Sequence, residues 1–379
     1  MKVLYIGHYK EFGGWGQAAT DYILALDKVG VDVVCRNVTL TRDKQQVHPR
    51  ILELESKDSD GCDVCIQHVL PHHLVGSQMF KKNIAFFASE STSIKHLAWF
   101  DNLKQVDQVW VANEDSKKSL DDDDIGVDVR VVPHACDMGR YKKQYQNIQI
   151  PEGVNKFKFY YIGDLNARKN IESIITCFNA EFDKYEDVCL VLKINKFGVP
   201  PEELSTKLDQ YLVEIKSRMR IFEEIQDYPK EITITTEVSD EQLCALHKHC
   251  DCFVSPTRGE AWSIPSFDAM AFGNTPICSN YGGPKEFIDS SKWRTGHLIN
   301  GSFSCCKYPD PAFPDLFTSQ EYWFQPCEMQ IRKQMRTCYE SWKKDPVMYK
   351  NRNAMEGLKR AEKYSYDNIG KLMKEIISE

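Results

Sequence analysis

Cys252-Phe253-Val254-Ser255-Pro256-Thr257-Arg258-Gly259-Glu260-Ala261-Trp262-Ser263-Ile264-Pro265-Ser266-Phe267-Asp268-Ala269-Met270-Ala271-Phe272-Gly273 is the stretch around which the rest of the chain can be read. Cys252 to Ser255 is a short apolar run of buried-strand type, Pro256 to Ser263 is loop-like, and small and apolar residues then follow at helical spacing. Pro265 suits the first position of that helix and Gly273 its end. Glu260 therefore lies on a loop at the C-terminal end of a strand, the edge at which open α/β sheets bind ligands. Backbone N–H groups around Trp262, Ser263, Ile264 and Ser266 would point into a cleft and favour an anion such as a diphosphate. Asp268, in the first turn, is placed to hydrogen-bond a hydroxyl pair such as a ribose diol. The plainer alternative is a capped helix with two solvated carboxylates; it loses weight because strand, loop, proline and small-residue helix all agree.

The same strand–loop–helix unit recurs on both sides. Upstream, Val3 to Gly7 is a strand, Phe12-Gly13-Gly14-Trp15-Gly16-Gln17 a turn, and Gln17 to Lys28 a helix with Ala18, Ala19, Tyr22, Ile23 and Leu26 at helical spacing. Gly30 stops it, and Val31 to Cys35 is the next strand. Further strands are expected at Asp63–Gln67, Asn83–Ala88, Gln108–Ala112 and Val127–Val132, spaced for crossover helices and hence for a parallel sheet. Lys142 to Lys156, with Pro151 and Gly153, reads as a linker. A second series follows: strands at Phe157–Gly163, Val188–Ile194, Ile232–Thr235, Cys252–Ser255 and Thr275–Ser279, with a helix over Asn170–Asn179. Residues 353–377 are helical in pattern. The expectation is an α/β protein of two Rossmann-like domains, 1–150 and 151–350, facing across a cleft, with 351–379 crossing back as a helix to the first.

Composition narrows the function classes. The 379 residues are 42% hydrophobic and 27% charged, an ordinary globular mix with 48 Lys and Arg against 55 Asp and Glu. The net charge of −7 argues against a protein that coats nucleic acid. No run approaches the roughly 18 apolar residues of a membrane span, and Met1 to Gly7 is too short for a signal-peptide core. The 14 cysteines include Cys35, Cys65, Cys189, Cys252 and Cys278 inside apolar runs, so free thiols in a reducing cytoplasm are expected. Cys62 and Cys65 have metal-like spacing without a second pair, so no metal site is expected. Asp58-Ser59-Asp60 reads as a solvated turn, and Asp121 to Asp124 as the start or end of a surface helix.

The Pro256–Gly273 segment resembles the E-x7-E region of retaining glycosyltransferases of the GT-B fold, specifically their family four (glycosyl transferases group 1). The resemblance implies that Glu260 contacts the donor sugar and that Asp268, where the family has Glu, binds the nucleotide ribose through a shorter arm. Tyr161-Ile162-Gly163-Asp164-Leu165-Asn166-Ala167-Arg168-Lys169-Asn170 resembles the family's Gly, Arg, Lys loop. Gly163 is then the loop glycine, and Arg168 with Lys169 would neutralise charge growing on a nucleoside diphosphate leaving group, with no metal required. Asp164 stands where many members have Arg, which leaves Arg168 to supply the second positive charge.

Gly14, Trp15 and Gly16 resemble the Gly-rich loop whose backbone faces the donor diphosphate; the pattern is not G-x-G-x-x-G, which weakens a nicotinamide reading. Val109–Glu114, Val131–Asp137 and Glu237–Leu243 extend the resemblance over most of residues 1–300, while 301–345 match little. Glu90, after a strand, should face the cleft as a catalytic-side residue, or else serve a structural hydrogen bond. His68, His72 and His73 are weaker acceptor-side candidates.

The implied reaction moves a hexosyl group from a UDP- or GDP-linked sugar, GDP-mannose included, to a hydroxyl acceptor: a glycan, a lipid-linked sugar or a small molecule. No cofactor beyond this co-substrate is expected, and contact with the inner face of a membrane stays open. Two rivals remain: a nucleotide-sugar epimerase of the same architecture, and a sugar-nucleotide-binding module without turnover.

Overall fold

The computed structural model describes residues 1–40, 47–146, 150, 155–291, 295–307 and 317–379. Apart from the short edge strand His297–Ile299, which was not expected, the sheet strands fall on the apolar runs picked out above, because a parallel strand between helical layers is largely buried. β1 (Lys2–Gly7), β2 (Asp32–Asn37), β3 (Val64–His68), β4 (Lys82–Phe86), β5 (Gln108–Val111) and β6 (Asp128–Val131) form one sheet in the order β2-β1-β3-β4-β5-β6. β7 (Phe157–Asp164), β8 (Val188–Asn195), β9 (Lys230–Ile234), β10 (Cys252–Ser255), β11 (Thr275–Ser279) and β12 (His297–Ile299) form the other, ordered β12-β11-β10-β7-β8-β9. Every pairing in both sheets is parallel.

This order has a direct consequence for the site. β7 sits between β8 and β10, so the chain winds outward from it in two directions, and the loops leaving β7 and β10 part there. That is a topological switch point, where a crevice opens at the strands' C-terminal ends. Arg168-Lys169 follows β7 and Glu260 follows β10, which makes the two loops neighbours.

Several boundaries differ from the sequence reading. The first helix runs Gly14–Lys28, not from Gln17; Gly13, at φ +81°, makes the left-handed turn that opens it, so Gly14, Trp15 and Gly16 form its first turn rather than a free loop. The helix after β10 is Ile264–Ala271, with Pro265 second rather than first, because Ser263 takes the cap position at φ +70°. Gly273 ends it as expected, at φ +89°, and a Cβ there would lie 2.6 Å from Ala354 Cα. Pro151 and Gly153 of the expected linker lie outside the described residues. An antiparallel hairpin, β13 (Gly301–Cys305) with β14 (Tyr322–Pro326), and a long helix, Pro201–Met219, were not anticipated.

The C-terminal pattern is two helices, Pro346–Glu362 and Tyr366–Ser378, broken where Cys136 bridges Ser365. The first packs on the second domain: a Cβ at Gly357 would lie 1.9 Å from the Met270 carbonyl oxygen. The second returns to the first domain, burying Ile369, Gly370, Met373, Ile376 and Ile377 on one face, with Gly370 tight against the Ala25 carbonyl.

All fourteen cysteines are free thiols, and Cys62 and Cys65 pack in an apolar cluster with Leu4 and Val34. Among the described residues no helix is long and apolar enough to cross a membrane. The aspartate run ends the helix Glu114–Asp122; Asp123 is buried and accepts from Ser93 Oγ at 2.7 Å and Ile94 N at 2.6 Å. Asp58 and Asp60 share a local turn.

Candidate active site

The loops after β7 and β10 are laced together by their backbones before any side chain is considered. Arg258 N–H donates to the Arg168 carbonyl at 2.8 Å, and Asn170 Nδ2 donates to the Pro256 carbonyl at 2.9 Å. Asn166 Oδ1 accepts from Lys169 N at 3.0 Å, and Asn170 turns at φ +54° into the helix Ile171–Glu181. Arg258 crosses the pair, donating to the Ala167 carbonyl and, through Nε, to Gln325 Oε1 at 3.0 Å.

This frame points a compact charge cluster at the cleft. Lys169 Nζ contacts Glu260 Oε1 at 2.5 Å, and Arg168 Nη1 lies 3.4 Å from the same oxygen. Arg168 Nη1 also contacts Glu90 Oε1, from the other domain, at 2.9 Å and donates to the Gly259 carbonyl at 2.6 Å. Glu260 is buried, and Lys169, Arg168 and Glu90 are nearly so. Gly259 is required here: a Cβ on it would lie 1.9 Å from the Glu90 carbonyl oxygen.

Burial decides how these groups titrate. It pushes the Glu260 carboxyl up, but Lys169 and then Arg168 outweigh it and hold the group below its usual range. Glu90 goes the other way: burial, with the Glu260 charge added, exceeds the pull of Arg168 and Lys169 and raises it. Two carboxyls with opposite shifts share one cation pair. Burial also works against the Arg168 charge, and the Glu90 and Glu260 carboxylates more than restore it.

The domains meet around this cluster. Asn113 Nδ2 donates to the Ala261 carbonyl at 2.7 Å, and Asp115 accepts from Gly282 N and Lys285 Nζ, both at 2.8 Å. Gly283 N donates to the Glu260 carbonyl at 2.9 Å, and a Cβ on Gly282 would lie 2.3 Å from that oxygen.

The other sequence candidates fall in distinct places. Asp268 is buried with both oxygens engaged, accepting from Tyr141 OH at 2.7 Å and pairing with Arg140 at 3.2 Å. Its shorter arm thus serves an inter-element lock on the helix Met138–Lys142. Trp262 is not at the surface of a groove: its ring packs among Phe267, Phe287 and Tyr364 at 5.1–5.7 Å. Ser263 is buried, its hydroxyl 2.7 Å from Ser266 Oγ, and with Ile264 it opens the helix at the β10 edge.

Gly163 lies tight over Tyr161, where a Cβ would come within 2.3 Å of the phenol oxygen. Across the cleft Gly14 has open space around it, Gly16 is buried, and the Trp15 ring lies 5.6 Å from His8 and 5.4 Å from His68. His68 is a core residue, its Nδ1 bonded to Tyr5 OH at 2.7 Å, and burial pushes its pKa down to about 3. His72 and His73 sit exposed on a short turn, Pro71–His73.

Residues the sequence reading missed are those that hold rather than touch: Arg258, Asn113, Asp115, Arg140 and Tyr141. Arg258 was inside the quoted stretch, and its charge beside Gly259 was the available signal. Asn113 lay within the Val109–Glu114 segment without a role being read from it, and Asp115, Arg140 and Tyr141 gave no signal, since their partners lie 127 to 170 residues away.

Two parallel six-stranded sheets facing across a switch-point cleft are the GT-B fold, and solved glycosyltransferase structures superpose over the whole chain. Sucrose-phosphate synthase from Thermosynechococcus elongatus aligns with TM-score 0.65 at 13% identity, covering 100% of this chain and 98% of that one. Anabaena HepE in complex with UDP and glucose aligns with TM-score 0.62 at 13% identity, covering 100% and 99%. These identities speak to fold alone.

Sequence similarity points the same way: residues 143–302, which carry Arg168, Lys169, Glu260 and Asp268, match the family model described as glycosyl transferases group 1. Among curated proteins, a probable sucrose-phosphate synthase of Thermosipho melanesiensis is 27% identical over 163 residues, 41% of this chain and 34% of that protein. A glycogen synthase of Bacillus cereus is 26% identical over 124 residues, 33% of this chain and 26% of that protein. The matched stretch thus spans a quarter to a third of the length of these relatives.

Proposed function

We propose that this chain is a retaining glycosyltransferase that moves a hexosyl group from a nucleoside-diphosphate sugar to a hydroxyl acceptor. The observation that carries the reading is the Lys169–Glu260–Arg168–Glu90 cluster, buried at Glu260 and half-buried at its partners, assembled from both domains at the switch point. Lys169 and Arg168 hold the diphosphate, and their positive charge stabilises the leaving group as the sugar C1–O bond breaks, without a metal ion. Amides at Ser263 and Ile264 add to that anion site. Glu260, ionised at neutral pH, accepts hydrogen bonds from the sugar hydroxyls. Glu90, with its raised pKa, faces the same space from the acceptor lobe.

The acceptor hydroxyl attacks C1 on the face the diphosphate leaves, and its proton passes to the departing phosphate oxygen; no side-chain nucleophile takes part. Contact between the lobes excludes water from this step. Asp268 reaches a ribose diol only if Tyr141 or Arg140 releases one oxygen. UDP-glucose is the first donor to test, since UDP-sugar complexes recur among proteins of this fold; GDP-linked sugars are the second. Free, mostly buried thiols support a reducing, cytoplasmic setting.

The test is donor turnover. Wild-type protein should release nucleoside diphosphate from one of these donors, and Lys169→Ala and Glu260→Ala should abolish it. Unchanged release in both variants overturns the assignment.

A further inference from the structure

Most of the free thiols pack as small apolar groups, and burial pushes Cys65, Cys136, Cys177 and Cys250 up. Cys338 is placed differently. The helix Glu328–Lys344 sets Ile331, Met335 and Cys338 at i, i+4 and i+7, on the face it lays against the second sheet. That face borders a cavity of about 360 Å³. Its wall takes Thr337, Cys338 and Ser341 from this helix, Thr275 from β11, His297 from β12 and Tyr349 from the helix Pro346–Glu362. None of these residues belongs to the Lys169–Glu260 cluster.

Cys252 lies directly behind that wall. It opens β10 and pairs in register with Thr275, which puts its backbone one strand, roughly 4.8 Å, in from the cavity lining. The Cys252 and Cys338 thiols hydrogen-bond each other, and His297 hydrogen-bonds Cys338 as well. These contacts divide the two sulfurs. The Cys252 hydrogen bond and the His297 charge hold Cys338 down against its burial, whereas burial and the Cys338 sulfur push Cys252 up. Cys338, which lines the cavity, is the thiolate; Cys252, behind it, keeps its proton.

We propose that Cys338 and Cys252 form a redox-modification site: a small peroxide entering the cavity oxidises Cys338, and Cys252 closes a disulfide with it. The Cys338 sulfur attacks one peroxide oxygen. The S–O bond forms, the O–O bond breaks, and the departing hydroxide takes a proton from solvent and leaves as water. The Cys252 sulfur then attacks the sulfenic sulfur: the S–S bond forms, the S–O bond breaks, and the second hydroxide leaves as water with the Cys252 proton. The two thiols lose two electrons and the peroxide gains them. Hydrogen-bonded sulfurs lie within a side-chain rotation of the roughly 2.05 Å bond. In a reducing compartment such a bond forms transiently. It ties the helix after the β13–β14 hairpin, whose Gln325 holds Arg258, to the strand that leads to Glu260.

Peptide mapping of the full chain after brief treatment with hydrogen peroxide, then alkylation, tests this. Trypsin leaves Cys338 in residues 337–343 and Cys252, with Cys250, in residues 249–258. Wild-type protein should yield the two peptides joined, with fragmentation placing the bond at Cys252, and dithiothreitol should part them. Cys338→Ser and Cys252→Ser, both compared well below their Tm, should lose the joined species. Cys252→Ser should instead carry a dimedone adduct on Cys338, the trapped sulfenic acid. Ser341→Trp, at the exposed rim of the cavity, should slow bond formation about threefold or more while the exposed Cys305 reacts as before. No joined peptides from wild type, or Cys252 joined elsewhere as readily in Cys338→Ser, overturns the proposal. An unchanged rate in Ser341→Trp overturns entry through this cavity.

Discussion

Lys169→Ala removes the shorter of the two cation interactions with Glu260. The Lys169 ammonium sits 2.5 Å from the carboxylate, whereas Arg168 stands off at 3.4 Å and is shared with Glu90. Loss of one preorganised charge aimed at a developing oxyanion typically costs about 10²- to 10³-fold in kcat. A second effect runs through Glu260: with the largest influence that holds it down gone, the carboxyl titrates higher than in the wild type.

A carboxyl held low in the folded protein adds stability above its unfolded pKa, and that stability is lost as pH falls through the folded value. In the variant the carboxyl is no longer held as far down, so this acid-linked loss of stability should shrink, while activity that needs the ionised carboxyl should fail at higher pH. The assay is nucleoside diphosphate release from UDP-glucose, or from GDP-mannose if that is the donor used, between pH 4 and 9. Lys169→Arg serves as the charge-retaining control. The expected result is a fall of two to three orders of magnitude in kcat for Lys169→Ala, an acid limb shifted upward, and partial recovery in Lys169→Arg. A loss of less than about threefold, with the acid limb unmoved, refutes the leaving-group role.

Other perturbations read other parts of the structure. Gly259→Ala places a methyl 1.9 Å from the Glu90 carbonyl oxygen, so the lobes must separate; we expect a lower Tm and loss of turnover, and an unchanged Tm by calorimetry contradicts the packing. Asp268→Ala leaves the half-buried Arg140 charge without its partner and should cost about 2–4 kcal/mol in urea unfolding, against about 1.5–3 kcal/mol for Tyr141→Phe. Equal, sub-kcal/mol effects in the two variants dismiss the lock. His68 and His247 are both buried and pushed down to about 3, so the unfolded chain takes up protons near pH 6.5 that the folded one refuses. Between pH 6.5 and 5 unfolding free energy should fall by up to about 2.7 kcal/mol per pH unit, two protons' worth, and a flat profile over that window disproves their neutrality.

The parts of this molecule that were legible in the sequence are those written in short range. Apolar runs of four to eight residues placed the strands of both sheets except the three-residue edge strand His297–Ile299, and Arg168-Lys169 and Glu260 were found because each follows such a run directly. Mismatches concentrate where a local rule has a competitor. The turn preference of glycine puts the helix start at Gln17, yet Gly13 alone makes the turn and Gly14 and Gly16 continue as helix. The hairpin β13–β14 escaped notice because its strands lie 16 residues apart in the sequence, with no tight-turn signal between them.

By itself, then, the order of residues determined two α/β units, their ligand-binding edges and the charged groups sited there, because periodicity and turn chemistry act within a few neighbours. Only the tertiary structure decided which of those groups meet. Glu90 joins Arg168 across the domains, Asp268 is taken by Arg140 and Tyr141, and Trp262 goes into the core. Such pairings join residues scores of positions apart. They depend on sheet order and on how two lobes pack, which no local pattern records.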